Sequence, residues 1–352
     1  MRIRAVLAIV VILCVRCVPT PVAPTDAALD VVPDGVYVLC EGLWRQNNSV
    51  LSYVVPATGA AVRDVLARTT PGATLGDTGN DMVAVGDTLV IVMNATRSLQ
   101  LVRRSSGRWL GSIPMPLGKE PYRICVVSDS TVLVTNLNDD SMTEIDVRRG
   151  TVRVATVPTG PAPEGIATDG VVVAVANSGL GDLRHAEDNA GTVYVYQRSD
   201  LQQIRTLRGL PNVGSVTFDR SRRILWVTYR NRVSLTDSLG GVVAYDARTW
   251  ATAGHWRVAS PGRIQVTGSG QVHVLCADGV RQYSVGDTAS TVVVPWHGVG
   301  VWYGMWVDQE QGSIYIANAG QFVTDGIVEM YGMAGDLRGR FSVGLNPSVM
   351  LR

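Results

Sequence analysis

Seven apolar runs of this chain close, at spacings of 41 to 53 residues, on Glu41, Asn94, Asn136, Asn177, Tyr229, Ala277 and Asn318. Brought to one place, their oxygens would offer ligands to a hard cation. That arrangement would support metal-dependent hydrolysis, such as the opening of a lactone. Only one of the seven is a carboxylate, however, and a hard cation usually takes more. Asn at four equivalent positions also fits a structural task, because its side chain bonds nearby backbone in turns. A second set stands just ahead of other apolar runs: Asp77, Asn80, Tyr122, Glu164, Asn212, Trp296, Trp302 and Tyr303. A third occupies longer polar stretches. Trp44, Arg45, Asn47 and Asn48 fall in 42–49, and Arg184, His185, Glu187, Asp188 and Asn189 in 179–191. Arg230, Arg232 and Asp237 fall in 230–241, and Phe322 and Asp325 in 319–326. Aromatic bodies with polar tips, beside Arg and Asn, suit a broad and partly apolar ligand. Trp44, Trp302 and Tyr303 are the expected anchors. His185 has acidic neighbours but no second His for a metal site, and a solvated loop is the simpler reading. The four His are His185, His255, His273 and His297. Two of them sit in strand-like runs, which leaves little for a general base, and no G-x-S-x-G elbow occurs. These residues point to binding. No catalytic residue, metal or cofactor is assigned.

The scaffold that would gather them is legible as an internal repeat. VYVLCEG, VIVMNAT, VLVTNLN, VAVANSG, LWVTYRN, VHVLCAD and IYIANAG are copies of one strand, at a period that fits four short antiparallel strands per copy. Upstream of it lies a first strand, as in DMVAV, YRICVV and YGMWVD, joined by tight turns such as Gly86-Asp87 and Asp169-Gly170. A third strand (TVYVYQ, GVVAYD) and a fourth (TVRVATV, LRGRFSV) complete each unit. Alternation of apolar and polar residues marks them as half-buried. The first unit opens without its first strand, and the chain stops at NPSVMLR, a first strand without a successor. Pairing the two closes a ring and removes the open edge. The expected fold is therefore all-β, a seven-bladed β-propeller whose C-terminal strand completes the N-terminal blade. In that fold the loops between strands two and three share a face with the loops between blades. Those are the long ones here, so that face is the expected working face.

Charge and the chain start set the context. Lys and Arg number 31 against 30 Asp and Glu, a formal net charge of +1, so no basic field exists to hold nucleic acid. Arg2 and Arg4 precede an apolar run from Ala5 to Val15. That run is short for a membrane-spanning helix, which takes about 20 residues, and suits an export signal. Cys17 stands where a bacterial lipoprotein carries its lipid, although Arg16 and Cys14 depart from the usual pattern. Residues 1–17 are read as a signal peptide, 18–32 as a flexible tether rich in Pro, Thr and Ala, and 33–352 as one propeller domain. The expected protein is exported: an outer-membrane or cell-surface lipoprotein, or periplasmic or secreted, touching membrane only through the lipid anchor. Cys40, Cys125 and Cys276 lie in apolar runs of three different repeats. They are read as buried thiols rather than as a disulfide or metal set.

Four segments also carry a family likeness: GVYVLCEGLWRQNNSVLSYVVPATG, TLGDTGNDMVAVGDTLVIVMN, GPAPEGIATDGVVVAVANSG and FSVGLNPSVMLR. With them the chain resembles the YncE-like seven-bladed propellers, in the branch found as surface proteins and lipoproteins, over about residues 33–352. The resemblance implies capture of a small-molecule ligand at the surface. The branch includes outer-membrane lipoproteins that capture cobalamin and pass it to a TonB-dependent transporter, so cobalamin and such a transporter are the named ligand and partner it implies. A propeller hydrolase and a protein-interaction scaffold stay open beside it.

Overall fold

The strand copies that define the repeat are buried along nearly their whole length, in patterns such as VLVTN with no exposed residue. Such strands must be covered on both sides, and a sheet standing between two other sheets provides that cover. The computed structural model describes residues 29–181, 183–230 and 239–352. The signal peptide, the tether as far as residue 28, and Arg232 and Asp237 lie outside the described residues. Within them are 28 strands and one short helix, and the strands form seven four-stranded antiparallel sheets.

Each sheet is one blade. Its first strand lines the axis, its repeat-defining strand comes second, and its fourth strand faces solvent, as the largely exposed Thr151–Pro158 does. The inner strands are Pro347–Leu351 (blade 1), Gly79–Val85 (2), Pro121–Val126 (3), Pro163–Thr168 (4), Val213–Asp219 (5), Ile264–Val266 (6) and Trp302–Asp308 (7). Each touches the next, and the last touches the first, which closes the ring. The closure is the one expected from the chain ends. Pro347–Leu351 pairs with Val36–Cys40 in the register Tyr37 to Leu351, Val38 to Met350 and Leu39 to Val349. The core is correspondingly divided. Seven apolar clusters of described residues each lie between two neighbouring blades. Between blades 5 and 6, for example, Trp226 stacks on Trp256 with ring centroids 5.4 Å apart and Tyr283 meets Trp256 edge-on. Cys40, Cys125 and Cys276 are buried free thiols in three of these clusters, and burial pushes each thiol up to about 12.

Two details go beyond the sequence expectation. The connection from blade 1 to blade 2 contains one helical turn, Val65–Thr69, whose first N–H groups are capped by Asp64 accepting from the Ala67 amide at 3.1 Å. Residues 29–32, the end of the expected tether, pack onto the propeller: Leu29 and Val31 lie against the cluster of blades 1 and 2, and the Val32 amide donates to the Tyr53 hydroxyl at 2.9 Å. Nearby, Gln311 in the first turn of blade 7 donates to Asp34 at 3.0 Å, and Arg352 sits 3.3 Å from Asp308. Both described chain ends thus lie on the tight-turn face.

Candidate functional site

A regular strand turns alternate side chains to opposite sides of its sheet, and none toward the propeller axis. The inner strands break that rule at one end. In six blades the pairing with the second strand skips one or two residues there. The skipped residues are Ser348, Asn80, Tyr122 with Arg123, Glu164 with Gly165, Gly214 with Ser215, and Tyr303. A bulge of this kind re-aims side chains, and here nearly all of the re-aimed residues surround one axial cavity at the long-loop end. Blade 6 contributes Arg263, just ahead of its short inner strand. The second strands add Glu41, Thr228 and Arg230, and the connection between blades 6 and 7 adds Trp296 and Trp302. The cavity is about 680 Å³, within the usual range for small-ligand clefts.

Its floor is charged. Arg123 is stacked 4.8 Å over the Tyr122 ring and donates to the Asn80 carbonyl. Burial works against its cation, but Tyr122, Asp81, Glu41 and Glu164 around it outweigh that and raise its pKa. Arg263 approaches Asp81 at 3.6 Å through Nη1. Its Nη2 is buried with no hydrogen-bond partner, as are Asn80 Oδ1 and Ser348 Oγ. Burial, reinforced by the neighbouring Arg123, lowers the Arg263 pKa. Glu41 accepts from the Tyr303 hydroxyl at 3.0 Å. Burial raises the pKa of Glu41 against the pull of Arg123, and does the same to Glu164 against Ser178 and Arg123.

One wall is held rigid from behind. The buried carboxylate of Glu329 accepts from Trp302 Nε1 at 3.0 Å, from His297 Nε2 at 3.0 Å and from Arg340 at 3.1 Å. Three donors on one carboxylate fix the Trp302 indole at the cavity edge.

The residues singled out from the sequence divide into three groups. Tyr122, Glu164, Asn212, Trp302 and Tyr303 line the cavity, and Asn80 lies beside Arg123. The strand-closing residues fall outside the lining, Glu41 and Ala277 excepted. Asn94 donates to the Pro121 carbonyl at 2.9 Å, which ties blade 2 to blade 3. Asn136 donates to Ser141 and Thr143, Asn177 links Gly160 to Thr192, and Asn318 links Val299 to Gly320. The Tyr229 hydroxyl lies 2.7 Å from His255 Nε2. The third group sits farther out on the same face. Asp77 accepts from the Arg45 and Asn47 amides, holding a loop on which the Arg45 guanidinium covers the exposed Trp44 ring at 4.1 Å. His185 is half-buried in the 178–191 loop, where Arg184 pairs with Asp140 and Glu187. Arg123 and Arg263 were not singled out in advance. Their one sequence signal is a charge at the start of a short apolar run, in YRICVV and RIQVTG. Among the described residues no three His, Cys, Asp or Glu side chains are grouped so as to hold a metal ion.

No family model matches the chain, and no curated protein sequence does. Solved structures do. A quinoprotein alcohol dehydrogenase-like protein of Bacteroides thetaiotaomicron superposes with a TM-score of 0.66 at 12% identity, over 90% of this chain and 78% of its own. Hydrazine synthase of Kuenenia stuttgartiensis superposes with a TM-score of 0.59 at 17% identity, over 72% of this chain and 76% of its own. At these identities the likeness is one of fold.

Proposed function

We propose that this protein captures a small polar ligand, non-covalently, in its axial cavity. The observation that carries the reading is the bulge at the start of six inner strands, which turns polar side chains from separate blades onto one cavity. Bulges cost ladder hydrogen bonds, and repeating that cost around a ring makes sense where the freed side chains are used. A preformed well with partly unsatisfied polar groups favours ligands that complete those bonds. The finer version has the YncE-like resemblance as its support: an exported surface protein that takes up cobalamin and hands it to a TonB-dependent transporter. A well of about 680 Å³ would enclose part of so large a ligand and leave the rest on the loop face.

Calorimetric titration of the purified protein against small polar ligands, with cyanocobalamin as one arm, tests both versions. Ser215→Trp fills the well and is expected to abolish binding, whereas Trp44→Ala on the outer rim leaves the well intact. A ligand that binds Ser215→Trp as tightly as wild type would place the site elsewhere and end the axial reading. Binding of other ligands without heat from cyanocobalamin at tens of micromolar would remove cobalamin alone. Silence from the whole set, with a protein partner retained on outer membranes, would favour the scaffold.

A further inference from the structure

The cavity is not uniform, and its two parts differ in depth. The charged groups lie deep: Arg123, Arg263 and Glu164 come from the starts of inner strands and are largely buried. The shallow part, on the side of blades 6 and 7, is apolar. Trp296 is 45% exposed, Val299 65%, Val301 42% and Tyr303 38%, and Tyr303 meets Phe322 edge-on at 5.4 Å. Trp296, Val301 and Tyr303 also line the cavity, so the apolar shelf runs continuously into the well. An exposed apolar patch of this extent marks a contact surface, and its continuity with the well makes the ligand its occupant.

The sign of the deep charge follows from the partners. Asp81 is engaged by Arg263 Nη1 and by the Ile124 amide at 3.2 Å, and Glu41 by the Tyr303 hydroxyl. Burial favours the neutral forms of Glu41 and Glu164, while Arg123 stays charged and Arg263 keeps one terminal nitrogen without a partner. The uncompensated charge is therefore positive. Taking the axial cavity as the capture site, we infer that its ligand is an amphipathic acid, with an anionic group received by Arg123 and Arg263 in the well and a flat apolar body on the shelf of blades 6 and 7. A guanidinium pair suits a carboxylate or similar planar anion, and the Trp302 ring, locked by Glu329, offers a preorganised stacking surface.

The test uses indole-3-acetate and 2-naphthoate as probes, with indole-3-acetamide, acetate and a methyl glucoside for comparison. Calorimetry is expected to show both aryl acids binding about tenfold or more tighter than the amide, the size of one charge-assisted hydrogen bond, with acetate weak. The double variant Val299→Asp, Val301→Asp lies on exposed loop and keeps the fold. It is expected to weaken both acids about tenfold by facing them with charge. Arg263→Gln, checked for folding by near-ultraviolet circular dichroism, is expected to erase the preference for acid over amide. Equal binding of acid and amide, or unchanged binding in the double variant, would overturn the inference. So would the glucoside binding while neither acid does up to about 10 mM, an outcome that leaves axial capture standing.

Discussion

Single side chains set how this protein responds to pH. His273, in the second strand of blade 6, is 1% exposed with neither ring nitrogen partnered, and burial pulls its pKa from 6.5 down to about 4. The unfolded chain takes up this proton below about pH 6.5 and the folded one resists it until about pH 4. Stability from this group is thus complete above 6.5 and falls as pH drops through that window, by about 3 kcal/mol in all. His273→Leu is expected to flatten urea-unfolding free energy against pH between 6.5 and 4; an undiminished slope would place the acid sensitivity elsewhere. Glu41 and Glu164 act with the opposite sign. Their pKa values are raised by burial, so the folded state holds protons that the unfolded state has released. The stability they contribute falls as pH rises through the window above 4.5. The same ionisation adds negative charge beside Arg123 and Arg263. An anionic ligand is expected to bind more weakly as pH rises through that window, with the trend reduced in Glu164→Gln. Dissociation constants measured across pH would show it, and a trend identical in wild type and variant would dissociate Glu164 from binding.

At the scale of strands and blades, the ring depends on close approach between inner strands. A Cβ on Gly304 would stand 2.0 Å from the Ser348 carbonyl oxygen of the closing strand, whereas one on Gly214 would meet nothing nearer than 4.0 Å. Gly304→Ala should wedge blade 7 from blade 1 and cost about 1–3 kcal/mol. Gly214→Ala should stay within about 0.5 kcal/mol. Thermal unfolding distinguishes them, and equal melting temperatures would mean that the closing strand tolerates displacement. The blades themselves were readable because strands covered on both sides must be apolar throughout, so VIVMN, VLVTN and VAVAN stand out at a repeating period. The cavity was only partly readable for the converse reason. Arg123 sits between Tyr122 and Ile124, in a stretch that local alternation assigns to a sheet face, and the bulge sends it to the axis instead. Its partner Arg263 lies three blades away in sequence, and only ring closure brings the two together. Asn136 and Asn177 misled in the other direction. Their recurrence reflects backbone and hydroxyl bonding inside each blade, which sequence patterning cannot separate from ligand contact.

The whole molecule has two unlike faces. Four of the aromatic residues discussed above, Trp44, Trp296, Tyr303 and Phe322, are exposed on the long-loop face around the axial mouth. Both described chain ends lie on the other face, held by Asp34 with Gln311 and by Arg352 with Asp308. A protein anchored through either end therefore presents the mouth away from its attachment, and the rigidity of seven mutually packed blades keeps it there. That separation makes a direct prediction. With a tag after Arg352, protein held on a sensor surface should bind its ligand with the affinity it has in solution, within about twofold. With the same tag inserted after Leu183, an exposed position in the 178–191 loop, the surface would lie against the mouth. An insertion at such a loop tip is tolerated by the fold, so melting temperature should hold while ligand association slows. The comparison needs only one ligand and two tagged proteins. Equal association rates in the two orientations would mean that the ligand enters from the tight-turn face, and the polarity argued here would have to be reversed.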